Sequence, residues 1–180
     1  MRDLWVFGYG SLMWNPGFPH EERAHATIEG WHRSLCIYSW VHRGTPSRPG
    51  LVLGLDVGGS CEGVAFRVAP GHRDATIAYL RAREQVTSVY REMTAPVVLL
   101  DGSHRTVEAL TYVADRAQEQ YAGVLAMPDL ERFVRQGIGQ SGTNPDYIEA
   151  TVAHMRDTGI VDEQLFALAE RLKRDASASL

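Results

Sequence analysis

The chain has 180 residues, 44% of them hydrophobic and 22% charged, which is ordinary for a globular protein and enough for a sizeable core. Its formal net charge is −4, from 18 basic and 22 acidic residues, so a nucleic-acid partner is not expected, because phosphate binding needs a basic surface. No apolar run is long enough to span a bilayer, the short apolar stretch before Gly8 does not read as a signal peptide, and Cys36 and Cys61 form neither a disulfide framework nor a CxxC motif; a reducing cytoplasm is the expected setting.

In chain order, Leu4–Tyr9 reads as a short apolar and aromatic strand that stops at a glycine-containing turn. Two further strands are predicted at Ala24–Trp31 and Ser34–Val41, the second carrying Leu35, Ile37, Tyr38 and Trp40. His42–Gly50 reads as a loop punctuated by Gly44, Pro46, Pro49 and Gly50. Strands resume at Leu51–Val57 and Glu62–Val68, with Gly58-Gly59 as the turn between them.

Asp74–Val86 changes period. Ile77, Leu80 and Glu84 are spaced by three and four, so they share one face of a helix. Tyr90–Leu100 and Thr106–Val113 return to strand patterns, and Asp101-Gly102 lies in the hairpin loop between them. Pro128 suits the first turn of a helix through Ile138, which Gly139-Gln140-Ser141-Gly142 breaks. Thr143 or Asn144 can cap a helix that starts at Pro145 and runs to about Met155; Asp162 can cap a last helix through Lys173. Asp175–Leu180 reads as a frayed tail. Strands with one inserted helix, followed by helices, give an α+β class with a mixed, mostly antiparallel, barrel-like sheet rather than a repeated βαβ fold. Residues 1–180 read as one domain.

Two local features carry chemistry. In Val6-Phe7-Gly8-Tyr9-Gly10-Ser11-Leu12 a strand runs directly into two glycines and a serine. Such a turn lets backbone approach a ligand, and successive N–H groups can form an anion-binding concavity. Spacing alone fits a plain tight turn after an edge strand better. A dinucleotide fingerprint is excluded by Met13 and Asn15-Pro16, and a nucleophile elbow by Tyr9 and Met13. The second feature is Glu84. A carboxylate on an apolar stripe is costly unless paired or protonated, and burial makes it a better proton acceptor near neutrality. A helix-end ion pair with Arg81 or Arg83 fits the periodicity equally well. Arg73, Arg81 and Arg83 read most simply as a solvated helix face. The seven histidines have no ligand spacing, so no metal is expected.

Taken together, these segments resemble the ChaC family of γ-glutamylcyclotransferases, which act on glutathione. Val6–Trp14 resembles that family's substrate-binding loop, and His42-Arg43-Gly44-Thr45-Pro46 with Pro49-Gly50 its next signature. Gly63–Val68 resembles the following strand, and Tyr79-Leu80-Arg81-Ala82-Arg83-Glu84 the helix end with the catalytic glutamate. Ser141-Gly142, Asn144 and Tyr147 resemble a Ser-Gly-x-Asn-x-x-Tyr pattern, and Asp162–Phe166 the closing helix. One segment departs: Gln85-Val86-Thr87-Ser88-Val89 precedes Tyr90-Arg91 where better-known members have a shorter Lys-Gly-Gly before Tyr-Arg.

The resemblance implies a γ-glutamylcyclotransferase-like fold over residues 1–180. It implies a lyase that closes the γ-glutamyl α-amine onto its own γ-carbonyl, giving 5-oxoproline and, from glutathione, Cys-Gly. Glu84 is the implied general base and acid; Val6, Phe7, Gly8, Tyr9, Gly10, Ser11, Leu12, Arg43 and Tyr147 are the implied substrate-binding residues. No cofactor, metal, nucleic acid or membrane partner is implied. The alternatives are a cyclotransferase for other γ-glutamyl amines or dipeptides, and a non-catalytic regulatory binding protein using the same pocket.

Overall fold

In a computed structural model the chain is described over residues 3–177, with side chains over 3–174. The described residues fall into two compact units. The first comprises residues 3–34 and 54–118, the second 35–53 and 119–177.

Five strands form a closed barrel in the order β1-β3-β2-β4-β5: β1 (Leu4–Gly8), β2 (Glu22–Ser39), β3 (Gly50–Val68), β4 (Tyr90–Leu99) and β5 (Thr106–Ala114). β1 pairs antiparallel with β3 through Leu4↔Val68 to Gly8↔Val64, and β4 with β5 through Tyr90↔Ala114 to Val98↔Thr106. β2 pairs antiparallel with β4 at Ala26↔Leu99. The parallel pairing of β1 with β5, Trp5↔Ala109 and Val6↔Leu110, closes the ring. Closure pairs β1 on both sides and buries it over its whole length. Val6, Phe7, Ile28, Phe66, Val97, Leu99 and Tyr112 are buried in this unit.

The expected α+β class and the mostly antiparallel barrel-like sheet are observed. Two strand expectations are corrected. Ala24–Trp31 and Ser34–Val41 are one continuous strand, β2, and Leu51–Val57 and Glu62–Val68 are one continuous strand, β3. Gly58 (φ 105°) and Gly59 (φ 67°) adopt left-handed conformations inside β3 rather than ending it. The His32 ring, whose Nδ1 lies 3.0 Å from the Gly58 carbonyl, sits beside this irregularity.

The inserted helix α1 spans Arg73–Glu84, two residues shorter at its end than the periodicity suggests. Thr76 and Leu80 are its buried residues, Ile77 is half-buried, and Glu84 is the last helical residue. Hydrogen bonds from the Asp101 side chain order the β4–β5 turn, accepting from Ser103 N–H at 2.9 Å.

In the second unit, α2 (Met127–Gln136) carries Pro128 in its first turn, as expected. α2 ends at Gln136, two residues short of the expected end at Ile138; Ile138 instead opens a two-stranded ribbon, β6 (Ile138–Gly139) with β7 (Gly142–Thr143), where Gly139–Gly142 read only as a break. Thr143 caps α3 (Asn144–Thr158): its side chain accepts from Asp146 N–H, and Gly159, at φ 76°, ends the helix. Asp162 caps α4 (Glu163–Ser177), accepting from Leu165 N–H at 2.9 Å. The helix continues through Ser177, past the expected end at Lys173; the rest of the expected tail, residues 178–180, lies outside the described residues.

Candidate active site

The turn after β1 is set by backbone bonding. Met13 N–H donates to the Gly10 carbonyl at 2.9 Å and Trp14 N–H to the Ser11 carbonyl at 3.3 Å, which makes Ser11–Met13 a short 3₁₀ turn; Asn15 N–H also donates to the Ser11 carbonyl, at 2.8 Å. The N–H groups of Ser11 and Leu12 precede the first bonded N–H and have no acceptor within the turn. A β-carbon on Gly8 would lie 2.8 Å from the Leu12 β-carbon and 3.3 Å from Met13 N. Gly8 is therefore the residue that lets the turn fold back over the strand end. Gly10 has φ −130°, so it does not use the left-handed region. Val6, Phe7, Tyr9 and Leu12 place their side chains in the core, and Ser11 is exposed.

Arg33, only 8% exposed, braces this turn from below. Its Nε donates to the Tyr9 carbonyl at 2.6 Å, and a terminal nitrogen donates to the Glu62 carbonyl at 2.6 Å. The Tyr9–Gly10 peptide is planar and trans, so drawing its carbonyl toward Arg33 turns the Gly10 N–H the opposite way.

Glu84 closes α1, with a side chain 18% exposed. Burial raises its carboxyl above the ordinary carboxylate range, and the neighbouring Arg83 guanidinium partly offsets that by lowering it. The Arg83 Nε lies 3.4 Å from Glu84 Oε1. The same guanidinium reaches the turn: it donates to Ser11 Oγ at 2.8 Å, to the Asn15 carbonyl at 2.7 Å and to the Pro16 carbonyl at 3.3 Å. It also donates to the Tyr79 hydroxyl at 3.1 Å, one helical turn earlier. Gly17, at φ 76°, leaves room for that hydroxyl, which would collide with any β-carbon there.

A second network fixes the end of α1 against the barrel. Arg81 forks onto Glu92 of β4, Nε to Oε2 at 2.9 Å and a terminal nitrogen to Oε1 at 2.9 Å. The buried Tyr112 of β5 donates its hydroxyl to Glu92 Oε2 at 2.9 Å. These bonds hold the Glu92 carboxyl below its ordinary range. Burial first, then the bond to Glu92, and then the charges of Glu92 and Glu84, push the Tyr112 phenol up, so it stays a hydroxyl at physiological pH.

Arg81 and Arg83 are thus not simply a solvated helix face, which corrects the sequence expectation: both are committed to bonds that locate α1. Arg33 carries no motif, and Arg83 lies in the Tyr79–Glu84 stretch with no role of its own assigned beyond a candidate ion pair with Glu84. The available signals were an arginine on the same strand face as Leu35 and Ile37, and the four-residue spacing of Tyr79 and Arg83.

Arg43 and Tyr147 belong to the second unit. The Arg43 guanidinium lies 5.6 Å from the centre of the Tyr147 ring and donates to the Thr143 carbonyl at 3.1 Å. The Tyr147 hydroxyl accepts from Leu53 N–H at 3.1 Å. Asn144, fully buried, pairs with both backbone groups of Leu51. The Ser-Gly-x-Asn-x-x-Tyr stretch therefore fastens the start of α3 to β3.

The closed barrel with an inserted helix ending in Glu84 has the γ-glutamylcyclotransferase fold. A yeast γ-glutamylcyclotransferase specific to glutathione superposes with a TM-score of 0.83 at 23% identity, covering 97% of each chain. The chain belongs to the ChaC-like protein family, whose model matches residues 4–175. Among its relatives are the glutathione-specific γ-glutamylcyclotransferase of Escherichia coli, 32% identical over 171 residues, or 95% of this chain and 73% of that protein. The human glutathione-specific γ-glutamylcyclotransferase 1 is 30% identical over 93% of this chain and 77% of its own length.

Proposed function

We propose that this protein is a γ-glutamylcyclotransferase that cleaves glutathione to 5-oxoproline and Cys-Gly. The substrate's α-ammonium, with a reference pKa of about 7.7–8.0, must lose a proton before it attacks. Glu84 takes that proton, the amine closes on the γ-carbonyl carbon, and the C–N bond to cysteine breaks. Glu84 then returns the proton to the leaving nitrogen, and the second proton lost by the ring nitrogen as the lactam forms ends on the released Cys-Gly amine, which leaves as an ammonium. No water is consumed, and the reaction is intramolecular, so holding a folded conformer supplies much of the rate. The Gly8–Leu12 backbone binds substrate oxygens through its N–H groups. Ser11 frames that turn, and the core side chains of Val6, Phe7, Tyr9 and Leu12 support it. Arg43 and Tyr147 are retained as substrate contacts on the strength of the family resemblance.

One observation carries the reading: a half-buried carboxylate of raised proton affinity ends α1 and is linked through Arg83 to the turn after β1. The family membership of residues 4–175 supports treating 1–180 as one γ-glutamylcyclotransferase-like domain. The −4 net charge supports a small-molecule substrate over a nucleic acid, and no helix among the described residues is long and apolar enough to cross a membrane. A cytoplasmic setting, where glutathione is kept reduced, goes with the reading, as does a reaction without cofactor.

The test is 5-oxoproline release from glutathione and from a panel of γ-glutamyl dipeptides by the purified protein. Preferential release from glutathione, with Cys-Gly in equal amount, is expected. Release only from other γ-glutamyl compounds would move the substrate assignment; no release from any would leave the binding-protein reading. The second substrate reading is favoured by one feature: segment 85–89 follows Glu84 directly, and its Val86 is 75% exposed.

A further inference from the structure

Resting on the reading of Glu84 and the turn as the reacting site, we propose that Arg83 is its positioning residue. Arg83 locks the Ser11–Pro16 segment to the last turn of α1, so that the turn's backbone donors and the Glu84 carboxylate keep a fixed separation.

The geometry singles out this side chain. A substrate held by the turn must present its amine to a carboxylate on a different element, α1. Arg83 spans the gap with bonds to Ser11 Oγ, the Asn15 and Pro16 carbonyls and the Tyr79 hydroxyl, and places its Nε beside Glu84 Oε1. Its side chain is 21% exposed, so these charge-assisted bonds are little screened. Gly17 makes an independent contribution: only without a β-carbon does the chain beyond Pro16 clear the Tyr79 hydroxyl. The fork geometry of a guanidinium is needed for several acceptors at once; an ammonium has the charge but not the span.

The positive charge has a separate consequence. The charged and titratable groups acting on Glu84 are Arg83 from its own helix and Tyr112 from β5, whose hydroxyl is bound to Glu92, itself forked by Arg81. Of these, Arg83 is the cation that favours the ionised carboxylate. Geometry and charge can therefore be separated by substitution.

Three variants are compared by 5-oxoproline release across pH. Arg83→Lys keeps the charge and loses the fork: KM for glutathione should rise by about tenfold, while the acid limb of the kcat/KM profile stays in place. Arg83→Met loses both: KM should rise at least as much, and the acid limb should move to higher pH, because the base holds its proton longer. Ser11→Ala removes one acceptor: a smaller rise in KM is expected, with the limb unmoved. Wild-type KM in Arg83→Lys would overturn the proposal, as would an unmoved acid limb in a folded Arg83→Met. Should Arg83→Met fail to fold, the other two variants decide. Glu84→Gln measured alongside tests the base alone; if it keeps full turnover, that assignment falls, and the KM of Arg83→Lys still decides whether Arg83 holds the turn.

Discussion

Asn144 pairs with Leu51 as a neighbouring strand would: its Oδ1 accepts from Leu51 N–H at 2.7 Å, and its Nδ2 donates to the Leu51 carbonyl at 2.8 Å. Both partners are fully buried. Asn144→Ala should orphan two backbone groups and cost about 2–5 kcal/mol. Denaturant unfolding checks this; a loss below about 1 kcal/mol would mean that the strand end finds other partners.

Glu84→Gln should lower kcat by about 10²–10⁴-fold while KM moves much less, since it removes a proton acceptor and leaves the turn intact. Its stability carries a second signature. Folding raises this carboxyl's pKa, so its contribution is fully present below the unfolded pKa and is lost as pH rises through the folded one. At neutral pH the wild type buries a charge that the amide does not. The variant should therefore melt at or above the wild-type temperature at neutral pH, with the difference shrinking on acidification. Near-normal turnover with lowered stability would return Glu84 to a helix-end ion pair.

Gly8→Ala should disturb the turn. The added β-carbon meets the β-carbon of Leu12 and the backbone at Met13, none of which is a flexible side-chain end. A loss of about 1–3 kcal/mol is expected, together with a raised KM. A folded variant with wild-type KM would show that the turn's shape does not govern substrate binding.

Tyr147→Phe separates two roles. Loss of the hydroxyl that accepts from Leu53 N–H should cost about 1 kcal/mol of stability. A substrate contact adds a rise in KM for glutathione. Unchanged KM at the lowered stability would remove Tyr147 from the binding residues.

The sequence was most legible where a local rule acts alone. Thr143, Asp162, Pro128 and the Asp101-Gly102 turn follow from capping and turn chemistry, and each is found where that chemistry puts it. The stripe of Ile77, Leu80 and Glu84 correctly located α1. Strand continuity was not legible, because Gly58-Gly59 read as a turn and the apolar pattern lapsed between Trp31 and Ser34; ladder pairing to neighbouring strands carries the chain through both places. The motif residues of the turn and Glu84 were readable through resemblance. Arg33 was not, because its acceptors are backbone carbonyls distant in sequence; Arg83 was legible as a partner of Glu84 but not as the link to the turn, because Ser11, Asn15 and Pro16 lie far from it in sequence and no spacing rule records those.

The buried Arg33 has a kinetic consequence. By holding the Tyr9 carbonyl and the Glu62 carbonyl, it sets the orientation of the Gly10 peptide from within the protein. Binding then spends little free energy on ordering this stretch, and preorganised donors cost no reorganisation when charge develops on the substrate. Encounter with glutathione should be a single-step association, its observed rate linear in substrate concentration, without the saturating phase that a slow loop closure would impose.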